Sequence, residues 1–190
     1  MSVRLEGYTI TPVRREDIPF LITVDKAASE MFASTGLIND GALYDNVPSD
    51  AFEAAIDADH ALAVRREDGM PVGFTLTSLR GNGLYLDQIS VDPAHGQQGL
   101  GRALMIKVLE DAEHRKLPCV TLSTFRDLKW NGPFYATMGF KEIPAAKLEP
   151  FMIEIQEAQR PYMDVTARCF MKRKVRRPLL RRFASKMDRA

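Results

Sequence analysis

A chain of 190 residues with 45% hydrophobic and 27% charged residues is ordinary for one soluble globular domain. No apolar run approaches the roughly 18 residues of a membrane span, and Met1–Gly7 holds no apolar signal core, so the expectation is a cytoplasmic protein without a transmembrane segment. The net charge of +1 averages two unlike parts: residues 172–190 hold nine Lys/Arg and one acid, so the tail carries +8 and the remainder −7.

In chain order, the alternation from Tyr8 to Val13 predicts a first strand. Arg14 to Phe32 has helical spacing, with Ile18, Leu21, Ile22, Val24 and Ala28 on its apolar side and Asp17 as an early acid for the helix dipole. Residues 33–48 read as a loop and Ser49–Ala58 as a short helix. Three strands follow, Ala61–Arg65, Val72–Leu79 and Leu84–Val91, separated by the turn signals Glu67-Asp68-Gly69 and Gly81-Asn82-Gly83. A central helix spans about 99–115, with Leu100, Leu104, Val108 and Ala112 every four residues. Beyond it come a strand at Cys119–Ser123, another at Phe140–Ile143, a helix over Leu148–Ala158 and a closing strand at Val165–Met171. A meander followed by one crossover gives an α+β fold with a mixed, mostly antiparallel sheet and a central helix after the fourth strand. Cys119 and Cys169 fall in strands and read as buried, reduced thiols.

The segment between the fourth strand and the central helix carries the chemistry. Asp92-Pro93 ends a strand, and Gly96, Gly99 and Gly101 precede the helix. Strand, glycine turn and helix leave backbone N–H groups free to cradle an anion, and glycine allows close approach. A triphosphate loop would end in Gly-Lys-Ser/Thr, but Arg102 and Ala103 follow Gly101. A dinucleotide loop would carry a glycine near Leu104.

Gly96-Gln97-Gln98-Gly99-Leu100-Gly101 resembles the coenzyme A pyrophosphate loop of the GNAT acetyltransferase superfamily, with glycine in place of that pattern's first Gln/Arg. About thirty residues on, Phe134-Tyr135 and Gly139-Phe140 resemble the superfamily's second motif. Its usual asparagine would fall at Leu128, and Asn131 stands four residues before the tyrosine. The resemblance covers residues 8–172 and implies an acetyl-CoA-dependent N-acetyltransferase of GNAT fold, one domain over 1–171 with a basic tail over 172–190. The acceptor would be a primary amine of a small molecule or peptide, attacking directly in a ternary complex.

It further implies roles. The strand Ile89-Ser90-Val91 would offer main-chain groups to the pantetheine, with the Ile89 N–H facing the thioester oxygen. Gly96, Gln97, Gln98, Gly99, Leu100, Gly101 and Arg102 would hold the diphosphate, and Asn131 the pantetheine. Tyr135 would give a proton to the leaving sulfur. Asp87 would be the base, its neighbour Gln88 pointing to the opposite face. Glu30, Phe32, Asp40, Tyr44 and Asp45 are candidates for acceptor choice. His60, His95 and His114 lack metal-ligand spacing, so no metal is expected.

After Pro178, Leu179, Phe183 and Met187 recur at i, i+4, i+8 between arginines, a short basic amphipathic helix. Its own acidic body or a twin subunit in a homodimer is the plainer partner; nucleic acid and anionic membrane are the alternatives. Two rivals to the main reading remain: a longer acyl donor, and a non-catalytic acyl-CoA-binding or sensing module acting through the tail.

Overall fold

A computed structural model describes residues 5–175 except Asp40 and Tyr44. Those two acceptor candidates and the tail helix after Pro178 therefore lie outside the described residues. Seven strands form one sheet: β1 (Tyr8–Pro12), β2 (Ala61–Arg66), β3 (Pro71–Arg80), β4 (Gly83–Val91), β5 (Cys119–Phe125), β6 (Lys141–Glu142) and β7 (Arg168–Lys174). Their order is β1-β2-β3-β4-β5-β7-β6, and only β4 and β5 run parallel. The helices are α1 (Ile18–Ser29), α2 (Ser49–Asp57), α3 (Leu100–His114), α4 (Gly132–Thr137) and α5 (Pro150–Gln159).

The parallel step exists because α3 crosses the sheet between β4 and β5. Its stripe of Leu100, Leu104, Met105, Val108 and Ala112 is buried, each large side chain contributing about 1.5–3 kcal/mol. It packs with Leu84, Leu86, Val120 and Leu122 of the central strands on one face. The opposite face holds Phe52 of α2 against Phe74 of β3, ring centroids 4.9 Å apart, and Met152 of α5 beside Tyr85 and Phe170.

Three local expectations shift. Around the first helix the chain tightens to 3-10 turns at Arg15–Asp17 and Glu30–Phe32. Asp17 is buried and forms a two-oxygen ion pair with Arg65, at 2.8 and 2.5 Å, rather than serving only the helix dipole. The closing strand starts at Arg168, not Val165, because the Asp164 carboxylate accepts the Thr166 N–H at 2.8 Å and holds Val165–Ala167 in a turn. That strand reaches Lys174, so the sheet continues three residues into the basic segment.

Candidate active site

β4 and β5 pair only at Leu84↔Val120, Tyr85↔Thr121 and Leu86↔Leu122. Beyond these the strands part, β4 running on to Val91 and β5 to Phe125. A β-bulge coincides with the parting. Leu76 of β3 opposes Gln88 while Thr77 opposes Leu86, leaving Asp87 as the extra residue. The bulge reverses the alternation. Leu84 and Leu86 face α3, whereas Gln88 and Ser90 face α1, both bonded to its Asp25.

The same bulge corrects the expectation that Asp87 and Gln88 point to opposite faces. The Ser78 hydroxyl, opposite Tyr85 in register, donates to Asp87 at 3.1 Å. Asp87 therefore shares the face of Tyr85 and Gln88.

The backbone ladder decides which groups enter the gap. Asp92 N–H donates to the Val72 carbonyl at 2.8 Å, making that a hydrogen-bonded antiparallel pair. By alternation Ser90–Phe74 is the next, so the N–H and C=O of Val91 and Ile89 turn from β3 toward the gap. The Ser90 backbone belongs to β3, and its hydroxyl donates to Asp25 at 2.6 Å.

The loop after β4 is fixed at its start. The Asp92 carboxylate accepts the Ala94 N–H at 2.9 Å. The His95 ring lies 2.8 Å from the Tyr8 hydroxyl of β1, a structural bond. Gln97 and Gly99 then take positive φ, 60° and 78°. The first helical bond of α3 runs from Ala103 N–H to the Gly99 carbonyl at 2.9 Å. The amides of Leu100, Gly101 and Arg102 therefore precede the helical ladder and remain available to an anion. A Cβ built on Gly101 meets nothing within 4 Å; that residue fronts open space.

α4 closes the α3 side of the gap. Tyr135 is buried with Leu86, Met105 and Met138, with Ile89 packed against the same cluster. Its ring lies edge-on to Phe134 and Phe140, centroids 5.1 and 5.8 Å away. Burial pushes the phenol pKa well above its ordinary value. Asn131 precedes α4, and its Nδ2 donates at 2.9 Å to Thr124, a residue of β5 past the last β4 pair. Among the described residues its Oδ1 is buried with no partner, an acceptor waiting for a donor. Arg102 donates to the Thr137 hydroxyl at 2.7 Å and covers the Phe134 ring at 5.7 Å, tying the start of α3 to α4.

On the opposite face Asp87 is an exposed residue overall, yet partial burial of its carboxyl group raises the pKa, partly offset by the Ser78 bond and Arg80. Tyr85 is buried, which lifts its pKa to about 12. Phe32 reaches this face, 5.7 Å from Phe125 and 6.1 Å from Trp130. Glu30 and Asp45 are exposed.

The structure thus gathers Ile89, Val91, the 96–102 loop, Asn131, Tyr135 and Asp87 around one gap. Sequence reading passed over Asp25, Ser78, Tyr85, Ser123 and Arg168. Trp130 alone had a local signal, its place in the motif before Tyr135. Among the described residues no group of three His, Cys, Asp or Glu could hold a metal ion, and no helix is long and apolar enough to cross a membrane. Free loop amides, the open front of Gly101 and the orphan Asn131 oxygen fit a ligand with a diphosphate and an amide-bearing arm, as in coenzyme A.

Comparison with known proteins agrees with this geometry. The ribosomal-protein-S18-alanine N-acetyltransferase of Escherichia coli superposes with a TM-score of 0.64 at 16% identity, covering 90% of this chain and 96% of that one. The PaiA N-acetyltransferase of Thermoplasma acidophilum, solved with coenzyme A, gives 0.68 at 15% identity over 88% and 98%. The N-acetylglutamate synthase of Neisseria gonorrhoeae, complexed with coenzyme A and N-acetyl-glutamate, gives 0.67 at 14% identity over 90% of this chain and 35% of that one. At such identities the likeness is one of fold. The model of the acetyltransferase (GNAT) family matches residues 29–140, more than half the chain, and the protein belongs to that family.

Proposed function

We propose that this chain is an acetyl-CoA-dependent N-acetyltransferase acting on a primary amine by direct attack in a ternary complex. The observation that carries the reading is the abrupt end of β4–β5 pairing after Leu86↔Leu122, directly ahead of a loop with free amides. Acetyl-CoA supplies the acyl carbon and a sulfur leaving group. The amides from Gly96 to Arg102 hold its diphosphate. Ile89 and Val91 extend the sheet toward its arm, and Asn131 Oδ1 accepts an arm N–H.

The Ile89 N–H stabilises the thioester oxygen as negative charge develops there. Asp87 takes the proton that the amine nitrogen loses as the C–N bond forms, directly or through water. Tyr135 gives its proton to the sulfur as the C–S bond breaks and regains one from solvent. Its raised pKa keeps it protonated at neutral pH, which suits a donor.

Purified protein, acetyl-CoA and a mixed panel of primary amines should release thiol only when an amine is present. Tyr135→Phe should lower kcat on the order of a hundredfold with coenzyme A affinity retained. Coenzyme binding with no amine-dependent thiol release would refute the proposal.

A further inference from the structure

Two arginines of this chain are sheltered in different ways. Arg65 is buried and meets both carboxylate oxygens of Asp17. Arg168, the first residue of β7, has no such partner. Among the described residues it forms no ion pair. Its Nε and Nη2 donate to the same neutral oxygen, Ser123 Oγ, at 3.2 and 3.1 Å. Its guanidinium lies over the Phe125 ring at 4.8 Å. A ring face compensates a cation only in part, and a sheltered charge without a counter-ion is unfavourable. Among the described residues Nη1 and one N–H of Nη2, one edge of the guanidinium, have no protein acceptor. Arg168 as a whole is half-buried rather than enclosed.

The place of this edge matters. Ser123 and Phe125 belong to the part of β5 beyond its last pair with β4. They lie on the face of Tyr85, opposite α3, by the register Tyr85↔Thr121. Tyr85 stands between the two groups: opposite it in β3 is Ser78, which bonds Asp87, and opposite it in β5 is Thr121, two residues before the Ser123 that Arg168 bonds. A cation with no ion pair among the described residues and an acid held by the Ser78 hydroxyl therefore flank one buried ring at the mouth of the gap. Phe32 stands between Phe125 and Trp130, the latter 42% exposed, and the three form an apolar wall.

We propose that the acceptor is an amino carboxylate, its amine set at Asp87 and its carboxylate bonded to the free edge of Arg168. The guanidinium fork matches a carboxylate in two-point geometry. The inference rests on the β4–β5 gap being the acetyl-transfer site.

The test pairs each of the common amino acids with its α-carboxamide, which keeps the amine and side chain and removes the charge. Binding is measured by calorimetry in the presence of coenzyme A, and thiol release with acetyl-CoA. At least one acid should bind about tenfold or more tightly than its amide. Arg168→Gln should bring that ratio to parity, and Arg168→Lys should restore part of it. Acids and amides bound alike by the wild-type protein, or both weakened equally by Arg168→Gln, would overturn the inference; the wild-type comparison needs no variant to fold. Thiol release without preference for acids sinks this inference and leaves the acetyltransferase reading standing. Selective acid binding without thiol release from any amine does the reverse.

Discussion

Asp25 accepts three hydrogen bonds, from the Ser90 hydroxyl at 2.6 Å, the Gln88 amide at 2.8 Å and the Val47 N–H at 3.0 Å. One carboxylate on α1 thus holds the strand behind Ile89 and the loop before α2. Asp25→Ala would strand all three donors in a site where Asp25 is 2% exposed, costing about 3 kcal/mol as read by urea denaturation. Asp87 makes a prediction of opposite sign. Its carboxyl is raised by burial, and as a base it works only when deprotonated. The acid limb of kcat/KM should therefore lie above the ordinary carboxylate value of about 3.9, and Asp87→Asn should remove that limb. The folded state binds this proton more tightly than the unfolded chain, so the Asp87 contribution to stability is lost as pH rises through the raised pKa. Asp87→Asn should accordingly not lower the melting temperature at neutral pH. Tyr135 was legible in the sequence because an aromatic pair at fixed spacing is a local signal. Asp25 was not: helical spacing assigns that face to apolar residues, and only Ser90 and Gln88 across the sheet explain an acid there.

At the scale of elements, the start of α3 separates folding from binding. Gly99 sits at φ 78°, where a side chain is strained by about 1 kcal/mol or more. Gly101 is helical and fronts open space. Gly101→Leu should leave the melting temperature unchanged or higher, since glycine is a poor helix former by about 1 kcal/mol. It should also weaken coenzyme A by on the order of tenfold or more in calorimetry, about 1.4 kcal/mol, because the side chain fills the approach to the amides. The strands, the meander and the central helix were readable from alternation, turn residues and four-residue spacing. The bulge at Asp87 was not. In Leu84–Val91 the apolar positions shift phase across Asp87-Gln88, from Leu84 and Leu86 to Ile89 and Val91, but only the register of β3 decides which residue is the extra one.

For the molecule as a whole, residues 172–175 at the start of the basic C-terminal segment are bonded to the folded domain. Lys172 Nζ reaches Glu149 at 3.4 Å, Arg173 donates to the Met138 carbonyl at 2.6 Å, and Val175 N–H donates to Pro118 at 2.9 Å. A chain cut after Met171 should melt at a lower temperature than one cut after Val175 in a thermal denaturation comparison, because only the first loses these bonds and the end of β7. The sequence by itself determined the mixed sheet, the glycine turn ahead of α3 and the Phe134-Tyr135 motif, since each is written in neighbouring residues whose spacing sets periodicity or turn chemistry. Only the tertiary structure decided where β4 and β5 part, which main-chain groups turn into the gap, and that Arg168 stands across it with no carboxylate partner among the described residues. Strand pairing and charge compensation join residues far apart in the chain, and no local pattern records which partner a strand or a cation lacks.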